Sequence, residues 1–505
     1  MKRRDFIRLS SLAVLPYLTG ACQWQGLWPA DIPVTIHSDR KSGHAIRESL
    51  GWPTDSQSLR TDYLIIGGGI AGLSAAYTLR DRDYLLCELS DRLGGTSGAT
   101  MVEGKPACQG AHYELAYPQN YGPEVLQMLQ ELDIIRLNDF SGLWDFKDSQ
   151  YVIASMRERA CFAFGERRDD VLPDGPEKAA FLQHLASYEQ RVPFPTRIIA
   201  EDLRPLGEIS FLEFLAPLQL SESFIRGLDY HMLDDWGGTC AQVSAIAGIS
   251  YFKCRPYYQQ EVPLFSPPQG NYYFVEKLAA ALDPARLSLQ QACRSLRETA
   301  EGWEAEIIDF RRKTVQKVTA NKVIYAGQKH ALRHILPEAA VTFARQEYAP
   351  WIVINLAIDP AIAEKGQWQN EMLVEDKRFL GFIDSWTQWP HDKEHRIFTA
   401  YYCLPPEARQ QLVSAEEMSG PLLDDALGQL SKWFGHSVRK YVRGAHINLM
   451  GHAMPIPGPG YLFRDVNTPW VERGLQFAGV DSGRLPVFFE AADSGIVAAR
   501  ALMYL

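Results

Sequence analysis

Three glycines and one acid pose the first chemical question. Gly67, Gly69 and Gly72 stand in a G-x-G-x-x-G run, and Glu88 follows 21 positions after Gly67. Glycine at the first position permits a tight turn. At the second it lets the backbone approach a ligand with no Cβ in the way, and at the third it lets a helix pack close to a strand. A helix starting here, with Ile70 and Ala71 in its first turn, presents free N–H groups and a partial positive charge to a pyrophosphate. An acid at this distance accepts hydrogen bonds from ribose hydroxyls. The chemistry implied is capture of a dinucleotide.

The elements around these residues fit that task. Residues 63–66 are a short apolar run suited to a buried parallel strand. Leu73, Ala76 and Tyr77 recur at helical spacing, and residues 84–87 form a second apolar strand ending at Glu88-Leu89. Strand, turn, helix and strand together predict an α/β fold with a Rossmann-like unit.

The next stretches carry a resemblance. Asp91-Arg92-Leu93-Gly94-Gly95 resembles the second fingerprint of the flavin-containing amine oxidase superfamily. That group includes monoamine and polyamine oxidases, protoporphyrinogen oxidase and phytoene desaturases. Its usual arginine after the paired glycines is Thr96 here, which can hydrogen-bond but cannot neutralise a phosphate. Gly110-Ala111-His112 resembles the segment that runs beside the flavin. Residues 475–505 resemble the C-terminal flavin motif, in which Gly479 and Asp481 precede a helix over about 489–502. The resemblance implies that Asp481 meets the ribityl–pyrophosphate region and that the helix start, with Phe488 and Phe489, faces the flavin. Residues 287–296 resemble the strand whose backbone meets the adenine, with Cys293 at the contact. Residues 303–309 and 314–320 alternate like a hairpin, and 321–327 resemble the strand that returns to the sheet.

The cofactor implied is FAD, held non-covalently, since no cysteine stands at the family's flavin attachment point. The interleaved motifs predict a discontinuous FAD-binding domain (58–115, 240–330 and 470–505) with an interleaved α+β substrate domain (116–239 and 331–469). Residues 211–220 and 221–233 read as helices, and 348–359 as a strand. Residues 22–57 read as a linker or an extended arm.

Catalysis is less legible. The family's lysine beside the flavin is missing from Ala349-Pro350-Trp351-Ile352. Candidate catalytic residues are Phe488, as an aromatic wall, and His452, as a proton acceptor. The resemblance implies hydride transfer from an amine, for which a polyamine is one candidate, to flavin N5. Two alternatives stand beside it: a desaturase or isomerase of an apolar substrate, and a non-enzymatic flavoprotein. Without the lysine, an acceptor other than oxygen is as compatible as an oxidase.

The N-terminus carries an address. Arg3-Arg4-Asp5-Phe6-Ile7-Arg8, followed by a short apolar stretch, resembles a twin-arginine signal over residues 1–21, whose cargo crosses the membrane folded. The expected partners are the twin-arginine translocase and a small-molecule substrate. The expected location is the periplasm, and Cys22 after Thr19-Gly20-Ala21 resembles a lipid-anchor site. The chain has 505 residues and a net charge of −10. Removing residues 1–21 takes away four basic residues and one acidic, giving −13. That balance argues against nucleic acid. The eight cysteines show no CxxC or metal spacing. Cys240 and Cys254 could pair in an oxidising compartment, although export of a folded protein argues against dependence on a disulfide.

Overall fold

A computed structural model describes residues 32–110, 114–115, 121–153, 159–189, 191–255, 264–362, 367–374, 378–388, 392 and 394–505. Residues 1–21, expected to be a signal, and Cys22, Ala111 and His112 lie outside these residues. The fold is α/β, with a Rossmann-like sheet and a second, larger sheet.

The first sheet runs in the order Leu287–Leu289, Tyr84–Glu88, Leu59–Ile66, Thr314–Tyr325, Gly302–Asp309 and Gln291–Thr299. Leu475–Phe477 also pairs with Thr314–Tyr325, in parallel. The register brings the ligand loops to one edge. Ile66 is level with Cys87 and with Tyr325, and Tyr325 is level with Phe477. The loops at Gly67, Glu88, Ala326 and Gly479 therefore leave the sheet side by side at its carboxyl edge, where open α/β sheets bind ligands.

The stretches at 314–320 and 321–327 are one strand, Thr314–Tyr325. Residues 314–320 pair antiparallel with Gly302–Asp309, and residues 318–325 pair parallel with Leu59–Ile66. No glycine or proline interrupts it, so nothing ends the strand between its two partners.

The second sheet runs Val34–His37, Val442–Pro455, Tyr348–Ile358, Arg396–Cys403, Phe379–Asp384, Gln369–Leu373, Arg159–Ala163 and Glu166–Arg168. Alternation along Tyr348–Ile358 explains its two faces. Ile352, Ile354, Leu356 and Ile358 pack with Leu423, Ala426, Leu427 and Leu430 of the helix Ala415–Phe434. Trp351 and Val353 face the other way, into the core that includes the helices.

The helix expected over 211–220 is shorter, Phe211–Leu215, and continues as a 3-10 turn. Gln219 adopts φ +50°, and Ser221 caps the next helix, Glu222–Trp236. The C-terminal helix is Phe488–Met503. It packs on Ile70–Thr78, where a Cβ on Gly495 would stand 2.0 Å from the Ala71 carbonyl oxygen. All seven described cysteines are buried and free, Cys240 and Cys254 included. No described helix is long and apolar enough to cross a membrane.

Candidate cofactor cavity and active site

One cavity of about 950 Å³ runs along the carboxyl edge of the first sheet and under the second. That is the upper end of the range for small-molecule sites. Gly67, Gly69, Ile70, Ala71, Glu88, Leu89, Arg92, Gly94, Gly95, Thr96, Gly110, Cys293, His452, Gly479, Asp481, Phe488 and Phe489 all line it. Gly72 stands behind the loop.

The glycines divide by what a side chain would meet. At Gly72 a Cβ would lie 1.8 Å from the Gly67 carbonyl oxygen, so this glycine sets the helix against the strand. Gly67 has φ +109° and its Cβ would lie 2.8 Å from Ala326 backbone. At Gly69 the nearest atom is 3.9 Å away, so a Cβ there would occupy the cavity. The Gly69 position and the open start of Ile70–Thr78 form the cradle a pyrophosphate needs.

Glu88 is buried and accepts from Gly68 N at 2.6 Å and Ser90 N at 2.8 Å. Burial lifts its carboxyl above the usual range, while these amide bonds pull the other way. Each oxygen keeps a lone pair for a ribose hydroxyl. Cys293 sits at a bulge between Gln291–Thr299 and Gly302–Asp309, with its thiol donating to Ser295 O at 3.3 Å. With its amide turned over, Gln109 places its side-chain oxygen 2.8 and 3.1 Å from the Arg92 guanidinium nitrogens, as an acceptor.

Asp481 accepts from Lys329 N at 2.8 Å, Lys329 Nζ at 2.8 Å and Tyr348 Oη at 3.0 Å. The Lys329 ammonium also donates to Ala478 O at 2.6 Å and Gly327 O at 3.0 Å. It is fully buried, and burial pushes its pKa down against the pull of Asp481. Sequence reasoning missed Lys329, which follows the returning strand by a few residues. Lys329 lies behind the cavity wall, and no lysine lines the cavity among the described residues.

Phe488 opens the C-terminal helix and stacks on Phe274 at 4.1 Å. Phe489 stacks on Tyr121 at 5.2 Å and meets Phe194 edge-on. Glu490, in the first turn, is buried and bonded by Thr196 N at 2.6 Å and Arg484 at 3.2 Å. Asp493 holds Arg197 at 2.9 and 3.1 Å. These ion pairs anchor the helix whose start faces the cavity.

His452 stacks on His330 at 3.6 Å, with Tyr348 edge-on to both. Burial, with nearby Arg409 and Arg333, lowers His452 to about 3 and His330 to about 4. Both rings are therefore neutral at ordinary pH, and His452 is a weak proton acceptor.

A stronger base lies at the deep end. Leu-Asp-Asp-Trp-Gly-Gly (233–238) closes the helix Glu222–Trp236, and Asp234, Asp235 and Trp236 line the cavity with Arg255 and Trp351. Carboxyls in the last turn of a helix oppose its dipole. Asp235 pairs with Arg255, and Glu371 with Arg159. Asp234, 7% exposed, has no hydrogen-bonding side chain among the described residues. Burial lifts its carboxyl well above the usual range, and Asp235 and Glu371 lift it further against Arg255 and Arg159. The signal for it was two adjacent acids before a Gly-Gly, placed where a helix disfavours them. No described cluster of His, Cys, Asp and Glu could hold a metal.

The profile of the flavin containing amine oxidoreductases matches residues 70–503. The chain belongs to this family and is an FAD-dependent oxidoreductase. Among solved structures, it is similar to putrescine oxidase bound to putrescine, at 14% identity and a TM-score of 0.59 over 89% of this chain and 100% of that one. It is also similar to cyclohexylamine oxidase from Brevibacterium oxydans IH-35A, at 17% identity and 0.60 over 88% and 99%. A protein from Exiguobacterium sp. 255-15, a protoporphyrinogen oxidase by assignment only, gives 16% and 0.62 over 89% and 100%. At these identities the likeness is one of fold. Comparison with curated proteins returns no match.

Proposed function

We propose that the protein oxidises an amine, transferring hydride from the carbon beside nitrogen. The observation that carries this reading is the buried carboxyl of Asp234. Its neighbours Asp235 and Glu371 are each paired with an arginine, and it has no counter-charge of its own. An amine arrives as an ammonium and must be neutral at nitrogen to release hydride. A carboxyl whose basicity burial raises above the ordinary range is suited, once ionised, to take the proton. Trp236, Trp351 and Phe488 provide an apolar wall that favours the neutral amine. FAD, when bound, accepts the hydride. Gly67, Gly69, Glu88, Cys293, Gly479 and Asp481 are the residues that would hold it.

A second reading, oxidation of an apolar substrate, draws on Met450 and Met454 in the lining and on the lysine-free cavity. The test is anaerobic mixing with a panel of substrates while flavin absorbance is followed. Bleaching by primary or secondary amines is expected. Bleaching only by a polyene or a porphyrinogen would replace the first reading with the second.

We also propose that the chain is loaded with FAD and then exported through the twin-arginine translocase to the periplasm, with Cys22 as a candidate lipid anchor. The Arg3-Arg4 pair supports this. Changing both to lysine should strand yellow precursor in the cytoplasm, and a normal periplasmic yield would refute the route.

A further inference from the structure

The segment before the first Rossmann strand is built across the cavity, and it lies outside the residues that match the family profile. Val34–His37 adds a parallel edge strand to the second sheet, in register with residues 445–448. His37 Nε2 meets His446 Nδ1 at 3.0 Å. The chain then crosses to the other sheet. Ser90 Oγ donates to Asp39 Oδ2 at 2.5 Å, and Asp55 N donates to Val315 O at 2.8 Å. Between these moorings runs the short helix Arg40–Ala45, with Arg40, His44 and Arg47 lining the cavity.

The wall across from it is also basic. Arg333 and His334 line the same cavity, and burial, with the charges of Arg333 and Arg47, lowers His334. Arg40, Arg47 and Arg333 have exposed side chains and no carboxylate partner among the described residues. The acids lining this part, Asp39, Glu88 and Asp481, are each engaged in hydrogen bonds. A cluster of guanidinium groups without carboxylate partners, Arg333 donating to the His330 carbonyl at 3.0 Å, calls for an anion in a chain of net charge −10. On the glycine-rich edge Thr96 carries no charge, and Arg92 is the guanidinium that lines the cavity there.

We propose that Arg40 and Arg47 of this strap, with Arg333 opposite, neutralise the FAD pyrophosphate in place of an arginine at position 96, so that the strap is a clasp that retains the cofactor. The inference rests on FAD as the occupant, which the colour of the purified wild-type protein checks separately.

The test follows FAD release from purified holoprotein by the rise in free flavin fluorescence. The double variant Arg40→Gln/Arg47→Gln should release FAD about tenfold faster or more at low salt, with an unchanged far-UV spectrum. Release from the wild type should speed up with ionic strength, and the double variant should lose most of that dependence. Lys41→Gln removes an exposed charge from the same helix without touching the cavity, and should leave release unchanged. Wild-type release from the double variant would overturn the proposal. So would an equal effect of Lys41→Gln, which would mark a diffuse field, not a contact.

Discussion

At the dinucleotide end of the cavity the loop offers a ligand backbone amides set by glycines and by Glu88, with the strap arginines beside them. At the deep end they are carboxyls, a guanidinium and aromatic rings from segments far apart in the chain. The first end is built by removing side chains, and the second by burying charged ones. The difference teaches where each end is vulnerable. Sterics governs the first, and the balance of buried charge governs the second.

Two glycines three residues apart separate fold from ligand at the dinucleotide end. Gly72→Ala places a Cβ 1.8 Å from the Gly67 carbonyl oxygen. It should cost more than about 4 kcal/mol and yield no folded protein in a denaturation assay. Gly69→Val fills open cavity instead, so it should give folded, colourless protein. Full FAD occupancy in that variant would sink the assignment of the loop.

The buried pair behind the cavity comes next. Lys329→Met leaves Asp481 with the Tyr348 hydroxyl and the Lys329 amide but no counter-charge. Breaking one side of a buried pair costs about 3–5 kcal/mol. A urea midpoint like that of the wild type would show that Asp481 does not depend on the ammonium.

The histidine stack gives the smallest effect. His330 and His452 have folded pKa values of about 4 and 3, below the ordinary 6.5. The unfolded chain therefore binds the protons first. Stability should be full above pH 6.5 and should decline as the pH falls through 6.5 towards 4. His452→Gln should flatten that decline in urea titrations at pH 7 and pH 5.

The same contrast explains what was legible in the sequence. The unit from residue 59 to Glu88 is contiguous, so spacing alone exposed its turn, its helix and its acid. The C-terminal helix was readable because Gly495 and its small neighbours sit at helical spacing. The deep end is assembled by sheet register. Trp351 lies opposite Met450, and Ala349 opposite Met454. No local pattern encodes that pairing, so Asp234, one residue beyond the helix expected over 221–233, was not singled out. His452 was singled out by its neighbours in sequence, and its environment in space makes it a poor base. Lys329 escaped because the lysine sought was one beside the flavin, whereas this one is buried behind Asp481. The strap read as a linker or arm because a short edge strand carries too few residues for periodicity to show.

The pH dependence of anaerobic flavin reduction by an amine, in the wild type and in Asp234→Asn, tests the proposed chemistry most directly. With Asp234 as proton acceptor, the wild-type rate should level off below the substrate's own pKa. The variant should be slower by roughly 10²-fold near neutral pH. Its rate should keep rising until the free amine itself loses its proton. Identical profiles for the two proteins would contradict the account.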